Sequence, residues 1–173
     1  MPATDLTLLV EAARAAGEVA LRFARDGAKS WDKPGGLGPV TEADMAVNET
    51  LEAMLRTARP DYGWLSEETE DDPARLSANR VFIVDPIDGT RSFIEGADHW
   101  AHSIAVAEGG RITAAVVFLP QPGKLYAAAA GQGATVNGTP LCVSPRSKLT
   151  GASVVLAKPA LAPQHWRTAV PQI

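Results

Sequence analysis

The sequence predicts an α+β fold in which two helices pack on a largely antiparallel sheet. Three observations carry this expectation. Two long stretches of helical periodicity occupy the N-terminal part, ending near Pro60. From Val81 onward, short strand-type runs alternate with Gly, Pro and Asn-Gly turn signals. Where the two regimes meet, the apolar run Val81-Phe82-Ile83-Val84 leads directly into Asp85-Pro86-Ile87-Asp88-Gly89-Thr90.

In chain order, residues 5–25 place Leu6, Leu9, Val10, Ala13, Gly17, Ala20, Leu21 and Ala24 on one apolar helical face. Residues 27–39 are rich in Gly and Pro and predict a mobile loop. A second helix is expected from Thr41 to Ala58. Thr41 is its N-cap and Asp44 stands in the capping-box position, with Val40 and Met45 as a hydrophobic staple. Its buried stripe is Val47, Leu51, Met54, Leu55 and Ala58. Tyr62–Leu65 is a further apolar stretch, and Val81–Val84 predicts a buried strand. Ser103–Ala107 and Arg111–Phe118 flank Glu108-Gly109-Gly110 as a hairpin. Lys124–Ala129 follows, then turns at Gly131-Gln132-Gly133 and Asn137-Gly138 around short extended pieces that include Pro140–Ser144. Ser153–Ala157 is the last strand candidate and reads as the start of a second domain.

The 173 residues are 46% hydrophobic and 21% charged, which suits one globular core. A net charge of −4 without a basic patch argues against a nucleic acid polymer as partner. No apolar run reaches the roughly 18 residues of a membrane span, and the N-terminus does not resemble a signal peptide. Cys142 is the single cysteine, expected as a small buried hydrophobe; with no disulfide framework, it suits a cytoplasmic setting.

The chemistry concentrates around residues 85–90. Two carboxylates three positions apart at the end of a buried strand call for a cation between them. Pro86 holds Asp85 extended, and Gly89 permits a sharp turn close to a ligand. Thr90 opens a short helical turn whose N–H groups favour an anion such as phosphate. An Asp-rich turn capping a helix accounts for the same residues without chemistry. Upstream, Ser66-Glu67-Glu68 ends an apolar stretch, with Glu67 eighteen positions before Asp85. Asp44 reads equally as a helix-start acid favoured by the helix dipole. His99 and His102 are expected in structural or surface roles, and Trp100 in packing.

Val40-Thr41-Glu42-Ala43-Asp44, Glu67-Glu68 and Asp85-Pro86-Ile87-Asp88-Gly89-Thr90, in this order and spacing, resemble the inositol monophosphatase superfamily. The resemblance implies the N-terminal half of a layered αβαβα fold. Residues 1–150 would form an α+β metal- and phosphate-binding domain, and residues 151–173 would begin a second α/β domain that is missing or incomplete. Relatives continue into a half bearing a Trp-Asp-x-Ala-Ala-Gly-like segment, which this sequence lacks. The family pattern makes Glu67, Asp85, Asp88 and the Ile87 carbonyl ligands of two or three Mg²⁺ ions. It gives Thr90 a metal ion or the attacking water, which Glu67 also orients, Asp44 the support of Thr90 or of a more weakly held metal, and Asp88, Gly89, Thr90 and Lys33 the phosphate. Glu68 assists. The hard-cation assignment agrees with an all-oxygen donor set.

The implied activity is hydrolysis of a small phosphorylated metabolite. The Leu65-Ser66-Glu67-Glu68 form leans to 3′-phosphoadenosine 5′-phosphate, with inositol monophosphate and histidinol phosphate as alternatives. A homodimer is implied. The rival expectation is a catalytically incomplete metal-binding module of the same fold.

Overall fold

The computed structural model describes residues 4–153 together with 155, 162 and 164. The chain divides into a unit over Met1–Leu141 and a second over Cys142–Ile173. The elements below belong to the first. In the second, Cys142 is exposed rather than buried, because it follows the last strand and is not part of the sheet. The strand expected at 153–157 falls largely outside the described residues.

Helix α1 (Asp5–Asp26) begins at Thr4, whose hydroxyl accepts from Thr7 N at 3.2 Å. It ends at Gly27, whose φ of 85° turns the chain away. Its buried residues are Leu8, Leu9, Ala12, Ala13, Ala16, Gly17 and Ala20, a face rotated from the expected one, so that Leu21 and Ala24 are exposed. Close approach to the sheet selects this face. A Cβ on Gly17 would sit 2.5 Å from the Phe118 ring, so only the small-residue stripe can lie there.

Helix α2 (Glu42–Ala58) has the expected capping box. The Thr41 hydroxyl accepts from Ala43 N and Asp44 N, and Asp44 Oδ2 accepts from Thr41 N at 2.8 Å. Val47, Leu51 and Leu55 form the buried stripe, with Met54 partly buried. Val40 is buried but Met45 is exposed and Ala58 lies outside the stripe, so no staple is made. Thr41→Ala is expected to cost about 1–2 kcal/mol, because it removes the cap and leaves orphan N–H groups buried. A thermal melt checks this, and an unchanged midpoint would show that the cap contributes nothing.

The predicted mobile loop is a hairpin. Strand β1 (Ser30–Asp32) pairs antiparallel with β2 (Pro39–Thr41), and a single 3₁₀ turn at Pro34–Gly36 joins them. The Gly/Pro content fits the turn, where Gly35, Gly36 and Gly38 all have positive φ, while Trp31 pairs opposite Val40.

Among the described residues, the main sheet has seven strands in sequential order: β3 (Gly63–Ser66), β4 (Arg80–Asp88), β5 (Ala101–Glu108), β6 (Arg111–Leu119), β7 (Lys124–Ala129), β8 (Gly133–Val136) and β9 (Thr139–Pro140). The β3–β4 pair is parallel and the other pairs are antiparallel. The extended piece expected at 140–144 contributes only Pro140 to β9. One sheet face, with Phe82, Val84, Ile104, Val106 and Val116, packs beneath α1 and α2. Burial of each such side chain is worth about 1.5–3 kcal/mol. The predicted buried strand at 81–84 is therefore buried on one face: Phe82 and Val84 point inward and Ile83 is exposed. Helix α3 (Thr90–Ile94) is the expected short helical turn. Among the described residues, no helix is long and apolar enough to cross a membrane.

Candidate active site

The parallel pairing of β3 with β4 runs at a constant offset of eighteen, from Gly63↔Val81 to Ser66↔Val84. Glu67 N extends the ladder by donating to Val84 O at 3.1 Å. The eighteen-residue spacing of Glu67 and Asp85 is thus a strand register, and it sets the glutamate beside the aspartate.

Asp85 and Asp88 are three residues apart, so a regular strand would point them to opposite faces. The structure resolves this with a bulge. Asp85 pairs with Ser103 and Asp88 with Ala101, so three steps on β4 match two on β5. Ser103 and Ala101 share a face, and the extra residue puts both aspartates on that same face. Beyond them, Gly89 has a φ of 93°, and a Cβ there would meet His99 O at 3.0 Å. Only glycine fits that position well.

Thr90 then begins α3, and its hydroxyl shares one hydrogen between Asp44 Oδ1 at 3.2 Å and Ile87 O at 3.1 Å. Asp44 is fully buried; its Oδ2 closes the capping box, while its Oδ1 accepts from the Thr90 hydroxyl. Burial raises its pKa, against the hydrogen bonds from Thr41 and Thr90.

Burial likewise pushes Asp85 up to about 7, helped by the charges of Glu67 and Asp88 and by hydrogen bonding with Glu67. Among the described residues, its Oδ1 is buried with no hydrogen-bond partner. Lys33, on the turn between β1 and β2, donates to Glu67 Oε1 at 2.8 Å and to Glu68 Oε1 at 2.7 Å. Burial opposes the lysine's charge, yet the two glutamates outweigh it and raise the Lys33 pKa. Glu68 is also raised, by burial first, despite its lysine partner.

The structure therefore gathers Lys33, Glu67 and Glu68 in one ion-paired group. It places Glu67, Asp85 and Asp88 within electrostatic reach, and it joins Asp44, Ile87 and Thr90 by hydrogen bonds. Among the described residues, no three Asp, Glu, His or Cys side chains form a ready-made metal cage. The donor set nonetheless fits a hard divalent ion. All its donors are oxygens, and Asp85 carries a buried oxygen that no other described residue partners.

His102 is buried on the opposite side of β4, with Nδ1 bonded to Pro86 O, and burial lowers its pKa to about 4. Trp100 packs edge-on against Phe93 and His102, and His99 is exposed. These are the structural and surface roles expected of them. Two polar residues escaped the sequence reading, Asn48 and Thr69, and Ser66 entered it only as part of the glutamate motif. The available signal was Asn48 itself, a polar residue set between Val47 and Leu51 on a buried stripe.

The fold is an α+β layer whose acidic side chains gather at the bulged end of β4, beside a hydrogen-bonded threonine–aspartate pair. The inositol monophosphatase family model matches residues 2–171, and the chain belongs to that family. It is 40% identical over 122 residues to an inositol-1-monophosphatase of Rhizobium meliloti, covering 70% of this chain and 46% of that protein. It is also 40% identical over 149 residues to a 3′-phosphoadenosine 5′-phosphate phosphatase of Mycobacterium leprae, covering 79% and 54%. The crystal structure of the extragenic suppressor protein suhB from Bartonella henselae superimposes with a TM-score of 0.75 at 34% identity, covering 81% of this chain and 54% of that one. The chain spans about half the length of the curated relatives it matches.

Proposed function

We propose that this chain carries the metal- and phosphate-binding half of a Mg²⁺-dependent phosphate monoester hydrolase. The observation that carries this reading is the crowded carboxylate Asp85, with its buried unpartnered oxygen beside Glu67 and Asp88. Like charges placed so close are tolerable when a cation joins them. Glu67, Asp85, Asp88 and the Ile87 carbonyl would hold the ion, with Lys33 giving up its bond to Glu67. When bound, Mg²⁺ would acidify water and neutralise charge on the phosphoryl oxygens.

The chain's own residues supply the rest. Thr90 donates its hydrogen to Asp44 and Ile87, so its remaining lone pairs are free to accept a proton from an attacking water. Asp44, with its raised pKa, suits the end of that proton path. The turn at Gly89 and Thr90 would approach the phosphate closely, and Lys33 would add positive charge. Such a site takes a small phosphorylated metabolite. We favour 3′-phosphoadenosine 5′-phosphate, with inositol monophosphate next and histidinol phosphate as the alternative. A free thiol fits a cytoplasmic setting, and the exposed Ile83, Val117 and Tyr126 of the sheet fit a homodimer.

The test is phosphate release from these three esters with Mg²⁺, for the chain and for Thr90→Ala. The expected result is fastest release from the adenosine bisphosphate, with kcat falling at least tenfold in the variant while KM holds, since the hydroxyl acts in proton transfer. An equal kcat in both proteins would remove Thr90 from the reaction. A second reading is a metal-binding module of the same fold. Saturable Mg²⁺ binding without release from any of the three esters would select it.

A further inference from the structure

We infer that Asn48 is a positioning residue that clamps the glutamate turn 66–69 in the conformation able to receive a divalent ion. The inference rests on the metal role proposed for Glu67. Asn48 lies one helical turn after Asp44 on α2, so the two face the same way. Its side chain is buried and bridges both ends of the turn. Asn48 Oδ1 accepts from Ser66 Oγ at 2.6 Å, and Asn48 Nδ2 donates to Thr69 Oγ1 at 3.1 Å. The same Thr69 oxygen accepts from Trp64 Nε1 at 3.3 Å, and Ser66 Oγ in turn accepts from Glu68 N at 3.3 Å. Each member of this network is tied to at least one other.

The two residues between the clamped ends are Glu67 and Glu68, the pair that meets Lys33. Glu67 is held on its other side by its amide bond to Val84 O. Rotation of the turn would carry Glu67 away from Asp85. One face of α2 thereby positions both parts of the site: Asp44 fixes Thr90, and Asn48 fixes the turn that presents Glu67. Groups that orient a metal ligand commonly change affinity 10–100-fold when removed.

The test compares the unsubstituted chain with Asn48→Ala, Thr69→Val and the double variant. Two readouts are used: calorimetric titration with Mg²⁺ alone, and hydrogen exchange at residues 66–69 without metal. Asn48→Ala is expected to weaken Mg²⁺ affinity about tenfold and to speed exchange at Glu68 N. The double variant should lose little beyond the worse single one, because both substitutions open one network. Thr69 is exposed as a residue, so Thr69→Val keeps the question answerable if Asn48→Ala fails to fold. Unchanged affinity and exchange in the substituted chains would overturn the clamp and leave the metal site standing. No saturable Mg²⁺ binding in the unsubstituted chain would overturn the metal reading itself.

Discussion

Asp85→Asn is expected to stabilise the metal-free chain and, in the same molecule, to weaken Mg²⁺ binding by more than a hundredfold. A residue serving only the fold would not behave this way. Asp85 is held near pKa 7 by burial and by the charges of Glu67 and Asp88, so its ionised form costs folding energy. Its folded pKa lies above the usual carboxylate value. Stability from this group is therefore full at low pH and lost as pH rises towards 7. The amide removes that charge at neutral pH. After discounting for the partial exposure of Asp85, the gain is roughly 1–2 kcal/mol. The amide also removes the charged oxygen that would ligate the ion, and loss of a direct ligand exceeds the 10–100-fold typical of outer-shell partners. Denaturation with a chelator present, beside a Mg²⁺ titration, gives both numbers. A variant that is less stable and binds equally well would reassign Asp85 to the fold.

The second large effect is acid destabilisation through His102. Burial lowers its pKa to about 4, from an ordinary 6.5, and its ring is enclosed by Trp100 and Phe118. Between those values the unfolded chain binds more protons than the folded one. Stability is then full above pH 6.5 and falls as pH drops towards 4. The loss amounts to about 3 kcal/mol across the window. Asp85 acts in the opposite direction over much the same range, so the clean comparison is made in the Asp85→Asn background. There, denaturant midpoints at pH 7.5 and 4.5 should differ clearly with His102 present and much less in His102→Gln. Equal pH dependence in the two would place His102 outside the acid response.

The site and the fold were legible to different depths for physical reasons. The spacing of Glu67 and Asp85 could be read because a parallel ladder preserves a constant offset along its length. The capping box at Thr41 and Asp44 could be read because it is local. That Asp85 and Asp88 share a face could not be read, since it depends on a bulge set by pairing with Ser103 and Ala101. Apolar residues fill so many positions of α1 that periodicity alone allows two buried stripes. The steric limit at Gly17 against Phe118 decides between them. The hairpin carrying Lys33 resembled a loop because its strands are only three residues long, and its glycines conceal the pairing. The role of Asn48 is not legible in the sequence, because its partners, Ser66 and Thr69, lie across the chain on β3 and the turn after it.

Crystals of the chain soaked in Mn²⁺, a divalent ion with an anomalous signal, offer the most direct measurement. The result expected is an anomalous peak within bonding distance of carboxylate oxygens from Glu67, Asp85 and Asp88, with the Lys33 ammonium moved off Glu67. A peak elsewhere, or no peak while Lys33 still bridges Glu67 and Glu68, would contradict the assignment of these three carboxylates to one ion site.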